Sequence, residues 1–314
     1  MNVKQLAESC ISYRRSIGEK CKSNGDVLLC FARRIGENKD INNITLDDCT
    51  AFLYGEDFKV TASWFIRYAS LKWMFEWAIS RGYMTSIPLP LDKPKSPDHM
   101  KPYIYSKIEL KRLFEASMHF QKNRSKIVPE CIQMIIKLTY LLGLRIQETI
   151  SIRLIDIDME SSLVVIHNTK FNKTRLVPFN QQVKSMLCKF VNWRNSQHPN
   201  CGKNSALFLD RECQPYKIDT IQDCFQRIRE VARIKRDDGA YYQPRIHDLR
   251  HSFAVHRLTA WYREGKDVQR CLCHLSTYLG HDDISHTSVY LTMTDNIYKE
   301  ANKLFNEYRN GTKE

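Results

Sequence analysis

Leu163-Val164-Val165-Ile166, a polar turn over residues 168–174, and Leu176-Val177-Pro178-Phe179 carry the clearest β signal in this chain. Two short apolar runs joined by polar residues predict a hairpin. Lys170 and Lys173 lie in the turn, so its tip is basic. Segments on either side space their apolar residues three and four apart, the period of a helix. The fold class that follows is mostly α with a small β-sheet (α+β).

Working upstream, Ser106-Lys107-Ile108-Glu109 has the form of a capping box and opens a helix through Leu110, Leu113 and Phe114. A second apolar helix is expected over residues 129–142, stopping at Gly143. Five of the ten prolines fall within residues 88–102, interleaved with Lys93, Lys95 and Lys101. Proline disfavours helix and stiffens an extended chain, so 88–102 reads as an interdomain linker whose lysines suit a phosphate backbone. Residues 1–87 then form a helical domain and residues 103–314 a mixed one. In the first, Thr45 caps a short helix. Residues 61–81 set Trp64, Tyr68, Leu71, Phe75 and Ile79 along one helical face, with Gly82 as the stop. That stripe reads as a core face, with a base-stacking surface as the other reading.

Composition narrows the partners. Of 314 residues, 43% are hydrophobic and 11% aromatic, enough for two packed cores and against wholesale disorder. Forty-eight Lys and Arg against 35 Asp and Glu leave +13, which favours polyanions, nucleic acid before an anionic membrane surface. The first residues lack the apolar run of a signal peptide and no stretch is long enough to span a bilayer, so a soluble, cytoplasmic protein is expected. Eleven cysteines without CxxC pairs argue for reduced thiols. Cys271, Cys273 and His274 lie close together but lack a distant second ligand pair, so no metal or other cofactor is expected.

Four segments carry candidate chemistry: Gly143-Leu144-Arg145-Ile146-Gln147-Glu148, Lys170, His247-Asp248-Leu249-Arg250, and Leu279-Gly280-His281 with Tyr290 nine residues on. A left-handed Gly143 would end one helix and leave Arg145 at a corner with its fork available. His247 and Arg250, three apart at a helix start, share one face near the positive dipole end, which suits a phosphate. Each segment alone is ordinary. Arg145 reads equally as a surface arginine paired with Glu148, and Tyr290 is indistinguishable from Tyr278 or Tyr298.

As an ordered set, Arg, Lys, His-x-x-Arg, His and Tyr resemble the signature of the tyrosine recombinase, or lambda-integrase, family, and the resemblance runs the length of the chain. It implies a helical core-binding domain (1–87) and a tyrosine recombinase catalytic domain (103–314) clamped around double-stranded DNA. By position, Arg145 and Arg250 match the catalytic arginines, Lys170 the hairpin lysine with Lys173 its competitor, His247 and His281 the histidines, and Tyr290 the nucleophile. Glu148 matches the supporting acid. His281 follows Arg250 by 31 positions, more than in compact members, with residues 261–274 as the apparent extra. This leaves the local helix layout open and is similar to transposon-borne members of the family.

The chemistry fits those residue types. Two guanidinium forks suit the non-bridging oxygens of a phosphodiester. A tyrosine hydroxyl needs a base at pH 7, for which His247 is the expectation, while His281 donates to the phosphate and Lys170 protonates the departing 5′ oxygen. A 3′-phosphotyrosyl link conserves the bond energy, so neither ATP nor metal is required. The resemblance further implies a tetramer on DNA, with the last helix, about residues 296–308, packed into a neighbour; Ile297, Leu304 and Phe305 could equally cover their own domain. Two other readings stay open: a type IB topoisomerase, against which the helical first domain counts, and a DNA-binding architectural protein that has kept the fold without cutting.

Overall fold

Asn2, Thr45 and Ser106 each accept a hydrogen bond from the backbone N–H three residues on, while Gln5, Asp48 and Glu109 in turn accept one from the backbone N–H of the cap. In these three places sequence chemistry alone fixes where a helix starts. The computed structural model describes residues 1–292 apart from 57–58, 98–100, 122–124, 168–173, 241 and 282. The chain divides into two compact units, Met1–His99 and Met100–Glu314.

The first unit contains α1 (Val3–Ser16), α2 (Lys22–Ile35), α3 (Leu46–Tyr54) and α4 (Ala62–Ser80). Leu6, Phe31, Phe52, Trp64, Leu71 and Phe75 meet in its core. The aromatic stripe of α4 is therefore a core face: Trp64 stacks on Tyr68 with centroids 5.2 Å apart, and Ile79 packs at the margin. Burying so much aromatic surface is the main favourable term holding these four helices together.

In the second unit, α5 (Lys107–His119) and α6 (Pro129–Leu141) pack together and lead through a sharp corner into α7 (Ile146–Ile150). Three antiparallel strands follow, β1 (Ile157–Asp158), β2 (Leu163–Ile166) and β3 (Arg175–Pro178), in the order β1-β2-β3. The hairpin register sets Leu163 opposite Pro178 and Ile166 opposite Arg175. Val164, Ile166 and Val177 point inward and are buried, the alternation of a sheet with one covered face. Beyond it come α8 (Gln181–Gln197), α9 (Ile218–Val231), α10 (Asp248–Arg263), α11 (Val268–Leu279) and the short α12 (Ser285–Ser288), which runs into a 3-10 turn at Val289–Thr292. The fold class is thus mostly helical with one small sheet.

Residues 261–274, the apparent extra stretch in the sequence, cover the end of α10, the turn after it and the first half of α11. Ala254, Leu258, Leu272, Leu275 and Leu279 weld these two helices into a second small core, into which Tyr290 also packs. Among the described residues no helix is long and apolar enough to cross a membrane.

Candidate active site

Two helices end at left-handed glycines, α6 at Gly143 (φ +59°) and α11 at Gly280 (φ +66°). The last carbonyls of a helix have no partner within it. Here arginines take them. Arg250 donates to Gly143 O at 2.8 Å and to Leu279 O at 2.6 Å; Arg145 donates to Gly280 O at 3.1 Å, and Arg175 Nε to Tyr278 O at 3.1 Å. Three cations thus sit at the negative ends of two helices. Glycine is required at 143 twice over, because a Cβ would also run into the Phe253 ring.

Glu148 is the hub of this cluster. Its carboxylate accepts from Arg145 N and Nη1 at 2.9 and 2.8 Å and from both Nη atoms of Arg175 at 2.8 and 2.7 Å, and lies 3.8 Å from Arg250. Burial by itself pushes a carboxyl up, but the Arg175 fork and Arg145 outweigh it and hold Glu148 at about 2. Arg250 is almost fully buried, which lowers it to about 10, so it keeps its charge at neutral pH. One carboxylate facing three arginines leaves the cluster net positive, and a guanidinium has more N–H donors than the carbonyls consume. The site is built to receive an anion.

Around it stand His247, His251, His281 and Tyr290. His247 occupies the N-cap position of α10, and His251 follows one turn later with ring centroids 4.9 Å apart, edge to face. His281 Nδ1 is 2.7 Å from Thr287 Oγ1, leaving Nε2 for another partner. Burial first, then the neighbouring arginines, hold His247 and His281 down at about 4. For His251 burial is again the main cause, reinforced by His247 and Arg250, and the value is about 3. All three are neutral at pH 7. The ring of Tyr290 is packed in the small core at 2% exposure, and its hydroxyl lies 3.0 Å from His251 Nδ1. Burial raises that hydroxyl above its ordinary value against the pull of Arg250.

Of the residues singled out by sequence, Arg145, Glu148, His247, Arg250, His281 and Tyr290 come together here; Lys170 and its competitor Lys173 lie outside the described residues, as do residues 296–308. Two participants were not singled out. Arg175 begins β3 and resembles any basic residue beside a hairpin turn. His251 carried a usable signal, since it lies four residues after His247 and one after Arg250, on the face that already held both.

The chain matches the phage integrase family over residues 106–296, more than half its length. The y4rB integrase/recombinase of Sinorhizobium fredii is 29% identical over 304 residues, 95% of each chain. Tyrosine recombinase XerD of Staphylococcus saprophyticus is 26% identical over 269 residues, 85% of this chain and 83% of that one. Among solved structures, the Tn1549 transposon integrase in complex with transposon right end DNA superposes with a TM-score of 0.71 at 17% identity, covering 98% of this chain and 99% of that one. The fold and these matches define a tyrosine recombinase, an enzyme of site-specific DNA recombination. Within that class the chain belongs to the phage integrase family.

Proposed function

We propose that this recombinase cuts and rejoins DNA strands through a 3′-phosphotyrosyl link to Tyr290. The observation that carries this reading is the position of the Tyr290 hydroxyl, buried beside His251 and under the pull of Arg250, at the edge of a net positive cluster. Arg145 and Arg250 hold the non-bridging oxygens of the scissile phosphate, and Glu148 keeps both forks aimed. His247 and His281, neutral as found, donate N–H groups to the same oxygens. Lys170 is assigned the proton for the departing 5′ oxygen on sequence alone. No metal or nucleotide enters these steps.

The first unit, with the linker over residues 88–102, would grip the duplex from one side and residues 103–314 from the other; the charge of +13 supports a polyanionic partner. A homotetramer on two synapsed sites is the working assembly. Support comes from the apolar spacing of Ile297, Leu304 and Phe305 in the last segment. A cavity of about 740 Å³ among α6, α8, α10 and α11, lined by residues such as Leu141, Met186, Phe253 and Trp261, could take a few apolar side chains of such a helix from a neighbour. The protein would work in the cytoplasm, on a mobile element.

The test is covalent capture. Wild type and Tyr290→Phe are incubated without metal or ATP with nicked duplexes drawn from a random-sequence pool, and denaturation-resistant protein–DNA adducts are collected. Adducts that vanish with the variant, on duplexes that also exchange strands pairwise, are expected. Adducts that relax supercoils but never exchange strands would point to a topoisomerase. Tight binding without any adduct would point to an architectural protein.

A further inference from the structure

The sequence assigns His247 as the base for the nucleophile, yet the Tyr290 hydroxyl meets a different imidazole. His251 Nδ1 lies 3.0 Å from the Tyr290 oxygen, with ring centroids 5.6 Å apart, whereas His247 packs edge to face against the His251 ring. The Arg250 guanidinium, which donates to Gly143 O and Leu279 O, pulls electrostatically on the same phenolic oxygen. A neutral imidazole with its proton on Nε2 has Nδ1 free to accept, and in that tautomer the phenolic O–H donates to His251.

We infer that His251 Nδ1 takes the Tyr290 proton as the phenolic oxygen attacks the DNA phosphorus, and returns it when the strand is resealed. This rests on the reading of Tyr290 as the nucleophile. In the forward step the Tyr290 O–P bond forms and the P–O5′ bond breaks. The phenolic proton passes to His251, and the 5′ oxygen takes a proton from a separate donor, the Lys170 ammonium in the scheme above. His251 is then a catalytic residue in the strict sense, since it touches the reacting oxygen.

Electrostatics fix when the transfer takes place. His251 faces His247, Arg245 and Arg250 from its own side and His281 from the end of α11, and Tyr290 faces Arg145 as well as Arg250. Burial and the neighbouring cations hold the imidazole neutral, while for the tyrosine burial outweighs the pull of the arginines and keeps its proton on. A phosphodiester entering among the arginines adds negative charge, which favours an imidazolium and opposes a free phenolate. Proton transfer is thus tied to attack on a bound phosphate, and a stray phenolate is not formed beforehand.

Single-turnover adduct formation on a captured nicked duplex decides the matter, comparing wild type, His251→Ala, His251→Gln and Tyr290→Phe between pH 6.5 and 9.5. Both His251 variants are expected to be slowed about 100-fold or more at pH 7, the scale of general-base catalysis. Glutamine keeps a hydrogen-bond acceptor but cannot take a proton, so it should not restore the rate. The deficit should shrink as rising pH ionises the tyrosine directly. It should persist on a duplex with sulfur in place of the bridging 5′ oxygen, because that change relieves only the leaving-group side. Wild-type speed in either variant, a deficit that is the same at every pH, or rescue by the sulfur duplex would overturn the inference. Adduct formation by Tyr290→Phe would instead overturn the assignment of the nucleophile.

Discussion

Arg175 grips both carboxylate oxygens of Glu148, at 2.8 and 2.7 Å, across 27 residues of chain. The pair ties β3 to α7 and so fixes the acid that holds the Arg145 fork and lies beside Arg250. Both side chains are largely buried, at 12% and 7% exposure. Removing one partner of such a pair leaves an imperfectly compensated charge in a dry place. Arg175→Leu should therefore lower the unfolding free energy by about 3 kcal/mol. Glu148→Gln should cost at least as much, because the amide NH2 introduced there meets N–H donors and the charge facing the arginines is lost. Urea unfolding of the two variants, read by tryptophan fluorescence, gives the comparison. Equal stability of Arg175→Leu and wild type would remove the pair from the structural argument.

Acid should weaken this fold earlier than it weakens an average protein. His247, His251 and His281 bind protons near 4, 3 and 4 in the folded chain, against an ordinary value of 6.5. As pH falls through about 6.5 the unfolded chain takes up protons that the folded chain refuses until pH 3 to 4. Stability must then decline over that window. Glu148, depressed to about 2, adds a further loss that begins near its unfolded value of 4.5 and is complete near 2. Unfolding midpoints measured from pH 7.5 to 4 should fall steadily, and His251→Gln should fall less steeply. A profile that is flat from 7 to 5 would contradict the neutral histidine cluster.

Gly143→Ala is expected to be among the most damaging small substitutions. Left-handed backbone costs an alanine about 1 kcal/mol. Overlap with the Phe253 ring adds strain on the scale of overpacking, about 1 to 3 kcal/mol. Pairing it with Phe253→Leu should recover the packing part and leave the backbone part. The thermal midpoints of the single and double variants separate the two contributions.

For catalysis, Arg250→Lys keeps the charge and loses the fork. A preorganised donor aimed at developing negative charge is worth about 100- to 1000-fold in rate. Single-turnover cleavage should drop by at least that much, and added salt should not change the ratio to wild type. A drop below tenfold would mean that charge alone suffices at this position.

Much of this was readable from the chain. Ser106 with Glu109 and Thr45 with Asp48 announce helix starts through local chemistry, and the hairpin of β2 and β3 stands out as short apolar runs in a helical background. Arg145, His247, Arg250, His281 and Tyr290 emerge from order and spacing, although nothing in the sequence says that they meet. What escaped depends on distance in three dimensions. Arg175 matters because Glu148 and the end of α11 lie beside it, 27 and 103 residues away along the chain. Tyr290 looked like a core tyrosine, and its ring is one. Only the hydroxyl reaches the site, and no sequence pattern distinguishes the two ends of a side chain. That His251 rather than His247 meets the phenol turns on one helical turn of α10.

Arg250 also bears on how this kind of protein ages. Its guanidinium closes the ends of both α6 and α11, so the fold leans on it whether or not DNA is ever cut. Tyr290→Phe would keep the ring that fills the small core and lose only the hydroxyl. In a lineage released from selection for recombination, the tyrosine and the histidines are free to drift first, while the buried arginine persists for architectural reasons. An arginine at this place is consequently a poor witness to activity among distant descendants, and the phenol and imidazole that face each other are the better ones.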